Sequence, residues 1–310
     1  MVERSEIMNT AVKSNPKNKI HIGSYAFDAV LVVFMILFSI VMIYPLANVI
    51  AISLSSSQMI SSGKVTWLPK EITLTGYEIV FGQKTIWIAY LNTVKYAVAY
   101  AVVSLFMTSL LAYTLLIPEF VLRKPITIYL LITMFFSGGT VPTYLVVKNL
   151  GLMNTMWALV LPGAVTAYNV FVYRAFFRGL SIEIREAAKI DGAGDISILF
   201  RIYMPLSKAL YATFGLFAVV GMWNSYFNAL LYIKDEAKQP IQNVLRSILF
   251  TSGATGGTFD GVNQLVQSGK LNPKNVQYAT IFATVAPVLM IYPFLQKHFA
   301  QGVQVGSVKG

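Results

Sequence analysis

The chain has 310 residues, of which 56% are hydrophobic and 12% charged, a net charge of +11 and a mean hydropathy of +0.63. Soluble domains carry about 25% charged residues, so this composition excludes an ordinary soluble protein, and the excess of basic residues reads as membrane topology rather than nucleic-acid binding. The absence of cysteine excludes disulfides, thiolate catalysis and cysteine metal sites, and the two histidines, His21 and His298, have no partner at metal-ligand spacing.

In chain order, a basic N-terminal tail, residues 1–24, contains Arg4, Lys13, Lys17 and Lys19. The apolar run after it, Ala26 to Leu54, exceeds the roughly 7–15 residues of a signal-peptide core, so it reads as a retained membrane span. A span needs about 20 apolar residues. Six candidates meet that need: Ala26–Ile52, Trp87–Leu116, Pro125–Val147, Asn154–Phe177, Leu206–Ile233 and Tyr278–Leu295. Lipid leaves unpaired backbone groups without partners, and no alternating barrel pattern is present, so the expected fold is all-α with six transmembrane helices. Residues 25–310 then form one transmembrane domain. Pro45, Pro142, Pro162, Pro287 and Pro293 predict kinks within the spans.

Loop 53–86 carries Trp67, Leu68, Pro69, Tyr77 and Phe81, enough apolar surface to pack on something. Loop 234–276 contains the glycine-rich run Ser252–Gly261, equally consistent with a mobile loop and a recognition loop. With the N-terminus inside, the inner segments hold 14 basic residues and the outer ones 9; Lys95, near the end of the second span, completes the 24. That bias places both termini and loop 181–206 in the cytoplasm, and loops 53–86 and 234–276 outside.

No HExxH, GxSxG or GxxxxGK[ST] motif is present; Gly269-Lys270 is followed by Leu271 and lacks the upstream glycine. The chain is therefore not expected to be an enzyme or to bind ATP through a P-loop of its own. Charged residues within the spans are few, which disfavours an ion-coupled carrier. If solute moves, the energy comes from another subunit; a stand-alone channel or secondary carrier is the alternative.

One polar segment interrupts the apolar pattern between the fourth and fifth spans. Ser181 is a candidate N-cap for a helix over 182–190, and Glu183 and Glu186 lie near its positive end. Gly192 and Gly194 terminate it. Asp195 can cap a second helix, with Ile196, Leu199, Phe200, Tyr203 and Met204 on one face and Pro205 at the entry to the fifth span. Ala187 and Ala188 offer a small-residue surface ringed by Glu186, Lys189 and Asp191. An ordinary interfacial helical hairpin would look much the same.

The pattern Glu186-Ala187-Ala188-x-x-Asp191-Gly192-Ala193, followed by Phe200, Ile202, Met204 and Pro205, resembles the EAA loop of ABC importer permeases. Phe135–Pro142, Lys148–Leu152, Leu161–Gly163, Trp223-Asn224 and the tail Gly302–Gly310 extend the likeness over nearly the whole chain. The family it resembles is the carbohydrate-importer permeases of the maltose (MalG-like) type, and within it the LplC/YtcP-type oligosaccharide permeases. The resemblance implies a MetI-like type I importer fold in a bacterial plasma membrane. It also implies a homologous second permease, two cytoplasmic ATPase subunits that carry ATP and Mg, and an extracellular solute-binding protein.

Glu186, Ala187, Ala188, Asp191, Gly192 and Ala193 would form the ATPase-docking knob, with Phe200 and Pro205 fixing the following helix. Ala188 is the position at which an added arginine is expected to block docking. Ser181 and Ala209 stand where many relatives have proline, which leaves the local helix geometry open. The resemblance further implies that loop 234–276 reaches the binding protein and that the tail from Lys297 lies near the ATPases. Trp223, Asn224, Tyr226 and Asn228 are candidate substrate-pathway residues, because aromatic rings stack on sugars and amides bond hydroxyls. Packing within the bundle explains them equally well.

Overall fold

The computed structural model describes residues 22–251, 265–266, 268 and 271–307. Among these residues every regular element is a helix. The chain divides after Asn48 into two compact units.

Helix α1, Ile22–Ser53, belongs to the first unit up to Asn48 and has Pro45 in its interior. Apart from Asp28 and Ser39, its side chains from Phe27 to Tyr44 are apolar, and they are exposed all round, as in a span that meets lipid or other helices rather than water. Within it the Phe34 and Phe38 rings stack at 6.2 Å, and Ser39 returns its hydroxyl to the Met35 carbonyl.

The second unit starts with the last turn of α1 and two short helices, α2 (Ser57–Ser61) and α3 (Thr75–Gly82). Loop 53–86 does pack: Tyr77 meets Ser53 at 2.7 Å, and Gly76 lies so close to Asn275 that a Cβ would come within 2.8 Å of its carbonyl oxygen. Helix α4 (Lys84–Thr114) is the central, unbroken span.

The third predicted span is divided into α5 (Arg123–Phe135) and α6 (Thr140–Asn149), and the fourth into α7 (Trp157–Val160) and α8 (Ala167–Arg178). Then come α9 (Ile182–Ile190), α10 (Asp195–Ile198), a π-helical turn (Leu199–Tyr203), α11 (Met204–Leu206) and α12 (Lys208–Trp223). Helix α13 (Phe227–Tyr232), a 3₁₀ turn (Glu236–Lys238), α14 (Ile241–Thr251) and α15 (Pro273–Ser307) complete the unit.

By length and composition, two of the described helices can cross a membrane unbroken, the Phe27–Ser53 part of α1 and α4. Asp195–Leu206 and Lys208–Trp223 pass only as a pair bent by 86°. The breaks fall at small or ring-locked residues: Gly138-Gly139 between α5 and α6, and Pro162-Gly163 between α7 and α8. Side chains satisfy backbone groups freed there, as a lipid setting requires. The Tyr100 hydroxyl donates to the Gly163 carbonyl at 2.8 Å, and the Thr143 hydroxyl to that of Gly139 at 2.9 Å. Pro142 stands in the first turn of α6, where a proline costs little, and so does not kink a span.

Three apolar cores organise the second unit. One gathers the end of α4 with α5, α8, α9, the π turn and the start of α12. A second joins α3, the start of α4, Trp223, α14 and α15. The third lies between α4, α6, α7 and α13.

The first described part of loop 234–276 is fixed in place. Asn154, at φ +61° in the left-handed region that asparagine tolerates, accepts from the Lys234 and Asp235 amides through its side chain. Thr93 accepts from the Ile241 amide at 2.8 Å, and Tyr96 donates to the Lys238 carbonyl. The glycine-rich run Ser252–Gly261, His21 and most of the tail 1–24 lie outside the described residues, as do the side chains of 292–307.

Candidate functional site

The polar segment folds as a helix, a left-handed turn and a second helix. Helix α9 ends at Asp191, and the Gly192 amide donates to the Lys189 carbonyl at 3.0 Å while the Ala193 amide donates to that of Ala188 at 2.9 Å. These two bonds, with Gly192 at φ +81°, define a Schellman cap. The Asp191-Gly192-Ala193 triplet is thus the stop signal of α9. Ala188 and Ala193 are the pair whose contact accompanies such a cap, and both pack into the first core.

That geometry separates the two alanines. Ala188 is 9% exposed and faces its own chain, so it is not part of the small-residue surface expected from the sequence. Ala187 is exposed, together with Glu186, Asp191, Ile182 and Ile190, the last at 86%. The face available to another protein is therefore one alanine among exposed acids and isoleucines, with Glu183, Ile184 and Lys189 uncovered beside it.

Two capping expectations are corrected. Ser181 holds the N-cap position of α9 but makes no side-chain cap bond. Gly194, not Asp195, precedes α10, and Asp195 serves as an acceptor instead. Its carboxylate lies 3.3 Å from Arg185 Nη2 and 3.7 Å from Lys189 Nζ, and it accepts from the Tyr113 hydroxyl at 3.1 Å. Asp195 thereby ties α9 to α10 and both to the end of α4. The Arg185 side chain is only 7% exposed and also lies 3.7 Å from Glu119. Burial alone would pull its guanidinium below the ordinary range, but Tyr113 and Asp195 reverse that effect and hold it above. Arg185 had no expected structural role, because helical spacing alone does not show that its stem turns inward.

The second helix also differs from the expected pattern. Ile198, Leu199 and Tyr203 are buried, Met204 is half-buried, and Ile196 and Phe200 are exposed. The π turn adds a residue per turn and so rotates the inward face relative to a uniform α-helix. It lies immediately ahead of Pro205, whose ring would crowd the carbonyl four residues earlier in a regular helix. Pro205 is exposed, and Phe200 stacks on Phe106 at 5.8 Å. After Ser207 the chain turns through the 86° bend into α12.

The four predicted pathway residues are not brought together. Trp223 is 6% exposed, donates to the Thr284 carbonyl at 3.2 Å and packs on Tyr90, so it holds α12 against α15 and α4. Asn224 is exposed and meets Gln242 at 3.5 Å. Tyr226 lines a separate groove of about 470 Å³ with Arg246 and Phe250 on α14. Asn228 alone lines a cavity of about 340 Å³ between α4, α7, α8 and α12, together with Tyr100, Ser104, Tyr168, Asn169, Phe217 and Ser225. Aromatic rings, hydroxyls and amides share that wall. Tyr100 escaped the sequence reading because it lies on the second predicted span, and Tyr168 and Asn169 because they lie on the fourth, about 70 residues further along the chain.

Residues 85–305 match the family described as binding-protein-dependent transport system inner membrane component, a region that includes α4, the helix–turn–helix element and both cavities. The chain belongs to that family. Among similar permeases, the polygalacturonan/rhamnogalacturonan transport system permease protein YtcP of Bacillus subtilis (strain 168) is 39% identical over 285 residues, covering 92% of this chain and 98% of that protein. Protein LplC of the same organism is 39% identical over 284 residues, covering 92% and 95%. The permease's fold is similar to that of a chain from the crystal structure of a bacterial ABC transporter involved in the import of the acidic polysaccharide alginate. There the TM-score is 0.84, the identity 28%, and the coverage 93% of this chain and 100% of that one. The MetI-like permease fold expected from the sequence is therefore the fold observed.

Proposed function

We propose that this permease is one half of the translocation pathway of an ATP-driven importer for a sugar or oligosaccharide. Its partners in this reading are a homologous permease, two cytoplasmic ATPase subunits that bind ATP and Mg, and an extracellular solute-binding protein. Both termini and the segment 181–206 are cytoplasmic, an arrangement supported by the distribution of basic residues. Loop 234–276 faces the binding protein, and the end of α15 lies near the ATPases.

The observation that carries the reading is the construction of α9. Its inward face is fixed by Ala188 and by Arg185 bound to Asp195, and its outward face leaves Glu186, Ala187, Ile190 and Asp191 uncovered. A short helix locked on one side and free on the other transmits displacement instead of absorbing it. Phe200 and Pro205 contribute from beneath, by fixing the bend into α12. The sugar assignment is supported by YtcP and the alginate transporter as relatives and by the mixed aromatic and amide wall around Asn228.

The test is co-expression with the ATPase and second permease, followed by ATP-dependent uptake of a labelled oligogalacturonide in proteoliposomes with the binding protein. Ala187→Arg should abolish ATPase co-purification and uptake while the chain's thermal unfolding is unchanged. Unchanged uptake in that variant overturns the docking assignment, and uptake without ATPase or ATP favours a carrier instead.

A further inference from the structure

We infer that a cavity of about 250 Å³ beside the coupling segment, walled by Arg123, Arg174, Arg178 and Arg185, holds the phosphate of an anionic phospholipid. Arg123 opens α5, Arg174 and Arg178 lie on the last two turns of α8, and Arg185 projects from α9. Four guanidiniums from three helices thus surround one space.

Their charge is poorly compensated from within the chain. Glu119 and Asp195 both engage Arg185 through Nη2, and Arg123, Arg174 and Arg178 form no ion pair among the described residues. Arg123 and Arg178 each lie close enough to Arg174 for their charges to repel it. Arg185 adds a second sign of a missing ligand: its side chain is 7% exposed, yet Nε has no hydrogen-bond partner. A buried donor left unpaired is costly, and an anion in the cavity would meet it.

The position and lining favour a lipid over a free ion. The cavity lies at the ends of α4, α5 and α8, where a membrane helix meets headgroups. Apolar walls from Leu116, Pro118 and Ile182 adjoin the charged ones, so an amphiphile fits both. Basic pockets between membrane helices on the cytoplasmic side bind phospholipid headgroups by this combination, and arginine presents paired donors to phosphate. A phosphate held between α5, α8 and α9 would brace the docking helix from behind. This site rests on the cytoplasmic placement of segment 181–206 proposed above, but its readout is bound lipid and not transport, so either can fail without the other.

The test places the full chain in nanodiscs of phosphatidylcholine, with or without phosphatidylglycerol, and counts co-released phosphatidylglycerol by native mass spectrometry. Wild type should retain it. The double variant Arg174→Gln/Arg178→Gln should bind about thirtyfold more weakly and Arg123→Gln about fivefold, from a contribution of about 1 kcal/mol per basic residue near the surface. Lys64→Gln/Lys70→Gln, in loop 53–86, should retain lipid as wild type does. Equal loss in that control would mean nonspecific attraction and would overturn the site. So would inorganic phosphate stabilising the chain in phosphatidylcholine discs as much as phosphatidylglycerol does, since the ligand would then be the free ion. Arg123→Gln gives the same readout if the double variant does not insert.

Discussion

Gly192 and Gly194 lie two residues apart in one turn, and a Cβ added to either would meet nothing within 4 Å. They differ in backbone: Gly192 has φ +81°, whereas Gly194 has φ −70° and ψ 154°, which any residue adopts. Alanine at Gly192 must hold a left-handed conformation at a cost of about 1–2 kcal/mol, offset by roughly 0.4–1 kcal/mol from the stiffer unfolded chain. The net loss of about 1 kcal/mol acts on the Schellman cap and should speed its local opening about fivefold. At Gly194 the entropy gain opposes a small loss at the N-cap position, and the two nearly cancel. Amide hydrogen exchange reads the result directly. The amides of residue 192 and Ala193, bonded to Lys189 and Ala188, should exchange about fivefold faster in Gly192→Ala and at the wild-type rate in Gly194→Ala. Equal behaviour of the two variants would refute the assignment of the DGA triplet as a left-handed cap.

Other substitutions separate fold from function. Asp195→Asn leaves the buried Arg185 with Tyr113 and a single acidic neighbour, Glu119, itself largely exposed; a double-mutant cycle between Arg185 and Asp195 should give a coupling of about 1–2 kcal/mol, scaled down from fully buried pairs because Asp195 is partly solvated. A coupling near zero would remove Asp195 as the tie between α9 and α10. Trp223→Ala should destabilise the chain by about 3–5 kcal/mol in chemical unfolding, whereas Asn228→Ala should leave stability within about 0.5 kcal/mol and alter uptake kinetics. The opposite pattern would return Trp223 to the pathway and make Asn228 a packing residue.

Much of the site was legible in the sequence because it is local. A glycine that must take positive φ, and the alanines its cap brings together, are fixed by neighbours along the chain, so the helix, the turn and the second helix could be read in order. Which alanine faces outward is not local. Ala188 turns inward because the end of α4 and the π turn lie beneath it, and that neighbour is more than 70 residues away in sequence. The face of the second helix was misread for a related reason. A period of 3.6 presumes an unbroken α-helix, and the π turn before Pro205 changes the period where it matters.

Composition and hydropathy alone determined that the chain lives in a membrane as helices, since no other backbone arrangement keeps its polar groups satisfied in lipid. The Glu186–Ala193 pattern, through its resemblance to the EAA loop, located the segment proposed above to dock the ATPase. Only the tertiary structure divided three apolar runs into shorter helices, because Gly138-Gly139, Pro162-Gly163 and the Asn224–Tyr226 break are tolerated only where distant side chains such as Tyr100 replace the lost backbone bonds. Only the tertiary structure, too, drew Asn228 to one cavity and four arginines to another. Hydropathy records how apolar a residue's surroundings in the chain are; it does not record which helices meet across the bundle, and both cavities are made by that meeting.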